Sequence, residues 1–392
     1  MEKEIKKQRW LKAAIIFLSI VAFIVSVGLG FFLRIAIVGK DAAALEEVAA
    51  YLRNFGVFNT QTLELEQFTG EDGAKLITKY LSDDYATYYT PEEYKKLNQT
   101  RAGNHSGIGV SVKSGTLTVI KVSGNSPAFH AGVKVGDELV GGVDKNGNET
   151  TFDSLADISE FLNSLTDKTF TLKAKRGAEN VQFTLTVSEY KTSYLVYFDN
   201  DSRYAFVGDD FTLKKLDGKM EELATDTACI YFDTFEGSAP DELKAMFELM
   251  KSKGKTKLIL DVRNNGGGYM DVLEDFAGGI IYKEGKSRLP IAYTKDSKGS
   301  YKEFKTSSSF YNGEITKISV IANENSASAT ECLIGAMLYY GGAFSIENLV
   351  IENDSITDGY ARTYGKGIMQ TTFILSNGGA VKLTTAVIYQ PD

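Results

Sequence analysis

The feature that most constrains this chain is an uncharged stretch of 21 residues, residues 13–33 (AAIIFLSIVAFIVSVGLGFFL). At about 1.5 Å of rise per residue, a helix of this length spans about 30 Å, the thickness of a bilayer's hydrocarbon core. Residues 1–12 carry five Lys or Arg against two Glu, so the positive-inside rule keeps the N-terminus in the cytoplasm. The sequence therefore predicts a single-pass transmembrane helix, with the rest of the chain on the extracytoplasmic side.

A cleaved signal peptide is the alternative interpretation of residues 13–33. The stretch is longer than a usual signal-peptide core, and the residues after it (AIVGK) make a poor cleavage site. We therefore favour an uncleaved membrane anchor.

Composition excludes several kinds of site. The 392 residues are enough for two to three domains, and the net charge of −8 gives no basic excess for nucleic acid. The chain has only two histidines, His105 and His130, which we interpret as surface or packing residues, and two cysteines. Cys229 and Cys332 lie in apolar runs and are predicted to be core thiols. With no P-loop, HExxH or dinucleotide signature, we predict no cofactor and no metal.

Two segments of different periodicity follow the anchor. Residues 41–99 have apolar residues at three- and four-residue spacing, which predicts a helical N-terminal adaptor. Residues 103–190 change to a period of two, with a short helix at SPAFHAG and an amphipathic helix at FDSLADISEFLNSL. This pattern of strands around two helices, with the motifs GIGV and SPAFHAGVKVGDEL, resembles a PDZ domain. The resemblance implies a loop whose backbone N–H groups bind a peptide's terminal carboxylate, and its residues here are Gly107, Ile108, Gly109 and Val110.

Residues 194–392 alternate strand and helix again. TACIYF, KLILDV and KISVIAN are apolar runs typical of buried strands, and helical patterns follow them. FILSNGGAVKLTTAVIY predicts a closing hairpin. The sequence therefore predicts an α/β sheet domain whose strand-to-helix turns are candidate sites.

The turn after KISVIAN could carry chemistry. Ser328 precedes an apolar helix, where backbone N–H groups and the helix dipole favour a developing oxyanion. On local grounds alone, an ordinary N-cap serine is the favoured interpretation of this position. A serine nucleophile also needs a base, and neither histidine lies in this domain. A desolvated lysine can serve, and Lys366 stands between two glycines, with Gln370 four residues further on.

The motifs LILDVRNNGGG, NENSASATE and YGKGIMQ, in this order behind a PDZ-like segment and an anchor, resemble the carboxyl-terminal processing peptidases, also called tail-specific proteases. The resemblance runs from about residue 45 to residue 386. It implies a multi-domain α/β protein with a ClpP/crotonase-like α/β serine protease core over residues 194–392. Carried over, the motifs imply roles for the following residues: Ser328 as nucleophile, Lys366 as general base, Gln370 as the residue that orients the lysine, Ala329 with Gly266 or Gly267 as the oxyanion hole, and Ser326 as a turn former.

Two departures from the family pattern are visible. Ser328 and Lys366 are 38 positions apart, more than is usual in the family, and we expect the excess to form a surface excursion. The sequence ends at TTAVIYQPD, where the family continues. Either the sequence is clipped or part of the sheet is missing, and we expect a core that is shortened at its C-terminus in this sequence.

The resemblance implies a membrane-anchored serine endopeptidase that acts on exported proteins with apolar C-terminal tails, which the PDZ-like segment recognises. The alternative is a catalytically inactive peptide-binding scaffold at the cell surface. The sequence leaves the oligomeric state open, a homodimer included.

Overall fold

The computed structural model describes residues 40–57, 83–113, 115–208, 210–216, 222–283, 286–307, 315–340, 349–352 and 362–391. The predicted transmembrane segment lies outside these residues. Among the helices that are described, none is both long and apolar enough to cross a membrane.

The chain forms two compact units. The first contains residues 1–96 and 370–386, and the second contains residues 97–369 and 387–392. The helices of the described residues are α1 (Lys40–Phe55), α2 (Pro91–Arg101), α3 (Pro127–Ala131), α4 (Leu155–Ser164), α5 (Ala239–Ser252), α6 (Met270–Ala277) and α7 (Ala329–Tyr340).

Strands make up much of both units. In chain order they are β1 (Thr87–Tyr89), β2 (Asn104–Gly107), β3 (Val110–Val112), β4 (Val119–Val122), β5 (Glu138–Asp144), β6 (Glu149–Thr151), β7 (Thr169–Arg176), β8 (Glu179–Thr186), β9 (Ser188–Lys191), β10 (Leu195–Phe198), β11 (Arg203–Val207), β12 (Thr212–Leu216), β13 (Thr227–Phe232), β14 (Lys257–Asp261), β15 (Pro290–Asp296), β16 (Tyr301–Lys305), β17 (Lys317–Asn323), β18 (Leu349–Glu352), β19 (Ile368–Ile374) and β20 (Ala380–Tyr389).

A seven-stranded sheet dominates the second unit. Its order is β12-β11-β10-β13-β14-β17-β18. Strands β13, β14, β17 and β18 run parallel to one another, whereas β10 pairs antiparallel with both of its neighbours, β13 and β11. The three runs predicted as buried strands are its centre, because a parallel sheet covered on both faces needs apolar side chains on both faces. The α/β prediction for this part of the chain is therefore confirmed.

Helices α5, α6 and α7 pack with this sheet around one core. Leu243, Met246 and Met250 of α5 are at most 1% exposed, at the spacing that the sequence predicted. Phe232 at the end of β13 stacks on Phe276 of α6, with ring centroids 4.1 Å apart. This core fixes the helix N-termini above the carboxyl ends of the strands.

A smaller β-rich module, defined here as residues 104–191, lies in the same unit. Strands β6-β5-β7-β8 form its main sheet, and β3-β4 and β2-β9 form two further ladders. Its own apolar core includes Phe152, Ile158 and Phe161, which shows why α4 forms at the predicted position. Leu155, the first residue of α4, is 49% exposed although it belongs to the apolar pattern of the predicted helix.

In the first unit, α1 packs on a short sheet. Val48 and Leu52 of α1 contact Val381 and Leu383 of β20 in one apolar cluster, and β1 and β19 both pair with β20. The predicted closing hairpin is thus present as β19 and β20. The wholly helical prediction for residues 41–99 is wrong at Thr87–Tyr89, where β-prone residues form an antiparallel ladder with β20. Residues 58–82 of this segment lie outside the described residues.

Candidate active site

The turn after β14 and the turn after β17 lie side by side at the carboxyl edge of the seven-stranded sheet, because these two strands are parallel neighbours. Ala327 N and Thr330 Oγ1 both donate to the Asn265 carbonyl, each at 3.0 Å. The buried Ser326 Oγ donates to the Val262 carbonyl at 2.8 Å. Ser326 therefore has the turn-forming role that the resemblance implied, and these bonds fix the turn that carries Ser328.

Ser328 stands directly before α7, in a left-handed conformation with φ of +57°. Such a φ is uncommon for a residue other than glycine. Cys332 N donates to the Ser328 carbonyl at 3.0 Å, which places Ser328 at the N-cap position. Its half-buried Oγ nevertheless makes no hydrogen bond with any residue that the structure describes, so the side chain does not cap the helix.

Gly267 lies against the Ser328 backbone. A Cβ at Gly267 would stand 2.7 Å from the Ala327 carbonyl oxygen and 2.9 Å from both the Ala329 nitrogen and Ser328 Cβ. With a φ of +98° as well, only glycine fits this position.

The amides near Ser328 differ in their bonding. Ala329 N, the first amide of α7, has no acceptor within the described part of the chain, as expected at a helix N-terminus. Gly267 N donates to Asn265 Oδ1 at 3.0 Å, whereas Gly266 is exposed. An oxygen held beside Ser328 could thus accept a hydrogen bond from Ala329 N without breaking one.

The Glu331 carboxylate joins the Ser328 turn to the segment that carries Lys366. One oxygen, Oε2, accepts from Ser328 N at 2.8 Å and from Lys366 N at 2.9 Å. The other, Oε1, accepts from Gly365 N at 2.6 Å and from Thr363 Oγ1 at 2.7 Å. We call this four-bond arrangement the Glu331 clasp. It holds the backbones of the two predicted dyad residues on one carboxylate, despite the long interval between them.

Sequence reasoning missed the role of Glu331. The only local sign is the Ser-x-x-Glu spacing of Ser328 and Glu331, which is that of a capping box. Half of the box forms, since the glutamate accepts from the Ser328 amide. Sequence reasoning also missed Asn265, whose carbonyl fixes the turn that carries Ser328.

Gln370 lies on β19 in the first compact unit. Its Nε2 donates to Thr384 Oγ1 of β20 at 3.2 Å. Its predicted role toward Lys366 stays a prediction.

The four residues predicted to bind a peptide carboxylate run from the last residue of β2 to the first residue of β3. Ala128 N, in α3, donates to the Ile108 carbonyl, and Ser123 N donates to the Gly109 carbonyl, both at 2.9 Å. A Cβ at Gly109 would stand 2.1 Å from Ser126 Cβ. Gly109 is therefore required for the close approach of this loop to the start of α3, while Val110 begins β3.

The two cysteines and the two histidines lie outside the turns that carry Ser328 and Lys366. Cys229 and Cys332 are buried thiols that form no disulfide, as predicted, and burial raises the pKa of Cys332 to about 12. His130 bonds Asn125 Oδ1 through Nε2 at 2.9 Å, and burial lowers the pKa of His105. Within the described residues, no group of three or more His, Cys, Asp or Glu side chains could hold a metal ion.

The fold of this part of the chain is of mixed α/β type. Residues 226–392 match the Peptidase family S41 model, so the chain carries an S41 peptidase domain. The resemblance to the carboxyl-terminal processing peptidases is thereby confirmed.

Similar proteins agree with this assignment. A probable CtpA-like serine protease of Staphylococcus aureus (strain N315) is 27% identical over 319 residues, which are 81% of this chain and 55% of that protein. Its Staphylococcus epidermidis counterpart is 25% identical over 342 residues, 85% of this chain and 60% of that protein. The chain thus spans little more than half the length of these curated relatives.

Solved structures share the fold. The photosystem II D1 C-terminal processing protease superposes with a TM-score of 0.53 at 20% identity, covering 91% of this chain and 89% of its own. A putative S41 protease from Bacteroides fragilis superposes with a TM-score of 0.51 at 12% identity, covering 88% and 85%.

Proposed function

We propose that the chain is a serine endopeptidase that cleaves exported proteins, with Ser328 as nucleophile and Lys366 as general base. The Glu331 clasp is the observation that carries this proposal. It fixes the backbones of both residues on one carboxylate oxygen, which is the preorganisation that a nucleophile and its base need.

In this mechanism, Lys366 Nζ takes the proton of Ser328 Oγ as the oxygen attacks a peptide carbonyl. The tetrahedral oxyanion accepts a hydrogen bond from Ala329 N and a second from the glycine turn, Gly266 or Gly267. The lysine ammonium then gives its proton to the leaving amine. Water hydrolyses the acyl-enzyme with Lys366 again as base, and Gln370 orients the lysine.

We further propose that residues 103–190 act as a PDZ domain that binds an apolar C-terminal tail. The loop Gly107-Ile108-Gly109-Val110 would bind the terminal carboxylate, and the tail would add a strand to β3, which pairs only with β4 among the described strands. Residues 13–33 would anchor the chain in the membrane, with both domains outside the cytoplasm. Binding of a tail would switch on the peptidase.

The test is cleavage of an unstructured protein substrate that ends in an apolar tail. S328A and K366A should each fold and lose at least 1,000-fold in kcat, as loss of a nucleophile or its base does in other serine peptidases. The matched control is K317A, which removes an exposed lysine at the start of β17. Full activity of K366A would refute the dyad. A wild-type chain that binds the tail without cleaving would instead indicate the inactive scaffold.

A further inference from the structure

Asn264 occupies a special position in the turn after β14. Its φ is +61°, a conformation that asparagine tolerates better than most residues. Neither the S41 domain match nor the proposed dyad gives this side chain a role. Its hydrogen bonds, however, reach in two directions.

In one direction, Asn264 is bound to the loop that leads to Ser328. Asn264 N donates to Asn323 Oδ1 at 2.9 Å, and Asn264 Oδ1 accepts from Asn323 Nδ2 at 3.0 Å and from Asn325 Nδ2 at 2.9 Å. Asn323 N in turn donates to Ser326 Oγ at 3.0 Å. The Ser326 carbonyl accepts from Tyr364 N at 3.0 Å. The position of Asn264 is thus tied to the loop that holds both Ser328 and the Lys366 segment.

In the other direction, Asn264 Nδ2 donates to the Ile120 carbonyl of the β-rich module at 2.9 Å. Ile120 lies in β4, which pairs with β3, and Ser123 N, just after β4, bonds the Gly109 carbonyl. The strand that Asn264 touches is therefore bonded directly to the proposed carboxylate-binding loop.

An ion pair reinforces the same junction. Lys121 Nζ lies 2.6 Å from Asp233 Oδ1, and the two side chains are 23% and 5% exposed. Asp233 follows β13, at the same carboxyl edge of the sheet as the active-site turns. A displacement of β4 must therefore strain a shielded ion pair and the Asn264 bond together.

We propose that Asn264 is a positioning residue that couples tail binding in the β-rich module to the geometry of the nucleophile loop. One carboxamide does this because its nitrogen bonds the module and its oxygen bonds the loop. A tail that shifts β4 changes the bond to Ile120, and the loop responds through Asn323. The inference rests on the proposed function, because it needs a tail site and a reactive Ser328.

The test uses the full chain and measures the rate at which a fluorophosphonate probe labels Ser328. The rate is measured with and without a saturating decapeptide that ends in three valines with a free carboxylate, and the same peptide with an amidated C-terminus is the control ligand. Peptide binding is followed separately by fluorescence anisotropy. N264D keeps the shape and the acceptor oxygen but loses the donor to Ile120. N264G also removes the side-chain bonds, and glycine suits the φ of +61°.

Coupling free energies in proteins correspond to about 5- to 150-fold effects. We expect the free-carboxylate peptide to change the wild-type labelling rate at least fivefold. In N264D and N264G the change should fall below about twofold, with peptide affinity within about twofold of wild type. The control N325G removes one bond to Asn264 Oδ1 and leaves the bond to Ile120, so it should keep most of the response.

The outcomes separate this inference from the proposed function. A full peptide response in N264D and N264G would overturn the inference, and so would a wild-type chain that is labelled at Ser328 but does not respond to the peptide. In both cases the serine peptidase stands. A wild-type chain that is neither labelled at Ser328 nor able to cleave would overturn both.

Discussion

The Glu331 clasp predicts that a change of one atom at a residue outside the proposed dyad will disable the enzyme. In E331Q the side chain keeps its shape, but one acceptor oxygen becomes an NH₂ group that faces two donors. Two of the four hydrogen bonds to the carboxylate must therefore be lost.

The size of the effect follows from those bonds. A hydrogen bond to a charged group contributes about 1.5–3 kcal/mol, and the lower end applies because Glu331 is half-buried. Two lost bonds weaken the clasp by about 3 kcal/mol. At about 1.4 kcal/mol per tenfold, the fraction of molecules with both segments aligned falls up to about 100-fold.

We therefore expect kcat of E331Q to fall about 100-fold on a tail-bearing substrate, with little change in KM, because all four partners of the carboxylate belong to the chain itself. The fluorophosphonate labelling rate should fall in parallel. E324Q is the matched control, since it removes the same charge from the loop before Ser328 and should stay within about twofold of wild type. If folded E331Q keeps a kcat within threefold of wild type, the clasp does not position the dyad.

Two further predictions follow from the same turn. G267A should abolish activity and lower the free energy of unfolding in urea by about 2–4 kcal/mol, since its Cβ would meet the Ala327 carbonyl at 2.7 Å. G266A is the control, because a Cβ there has no heavy atom within 4 Å. An equal loss of activity and stability in both variants would contradict the packing argument. The raised pKa of Cys332, about 12, keeps this thiol protonated at pH 8. Iodoacetamide should therefore leave native activity intact and C332A should keep kcat within threefold, whereas inactivation by the reagent would indicate a cysteine nucleophile.

The sheet was predictable because its signal is local. TACIYF, KLILDV and KISVIAN are apolar on both faces, which a strand buried between helices requires, and they became β13, β14 and β17. The strand at Thr87–Tyr89 was not predictable in this way. Three residues give too short a pattern, and what stabilises them is a ladder with β20, nearly 300 positions away.

The candidate site shows the same division between local and tertiary information. The position of Ser328 before an apolar run correctly marked a helix start, and locally it favoured a serine hydroxyl that caps the helix. The structure forms only the glutamate half of a capping box: Glu331 accepts from the Ser328 amide and from the Lys366 segment. A capping hydroxyl would be committed to a backbone N–H, but at a φ of +57° Ser328 leaves its Oγ unbonded within the described chain. The Ser328 hydroxyl therefore does not cap the helix that its position predicted. The tertiary contact of Glu331 with residues 363–366, which no local pattern encodes, is what distinguishes this site from an ordinary N-cap.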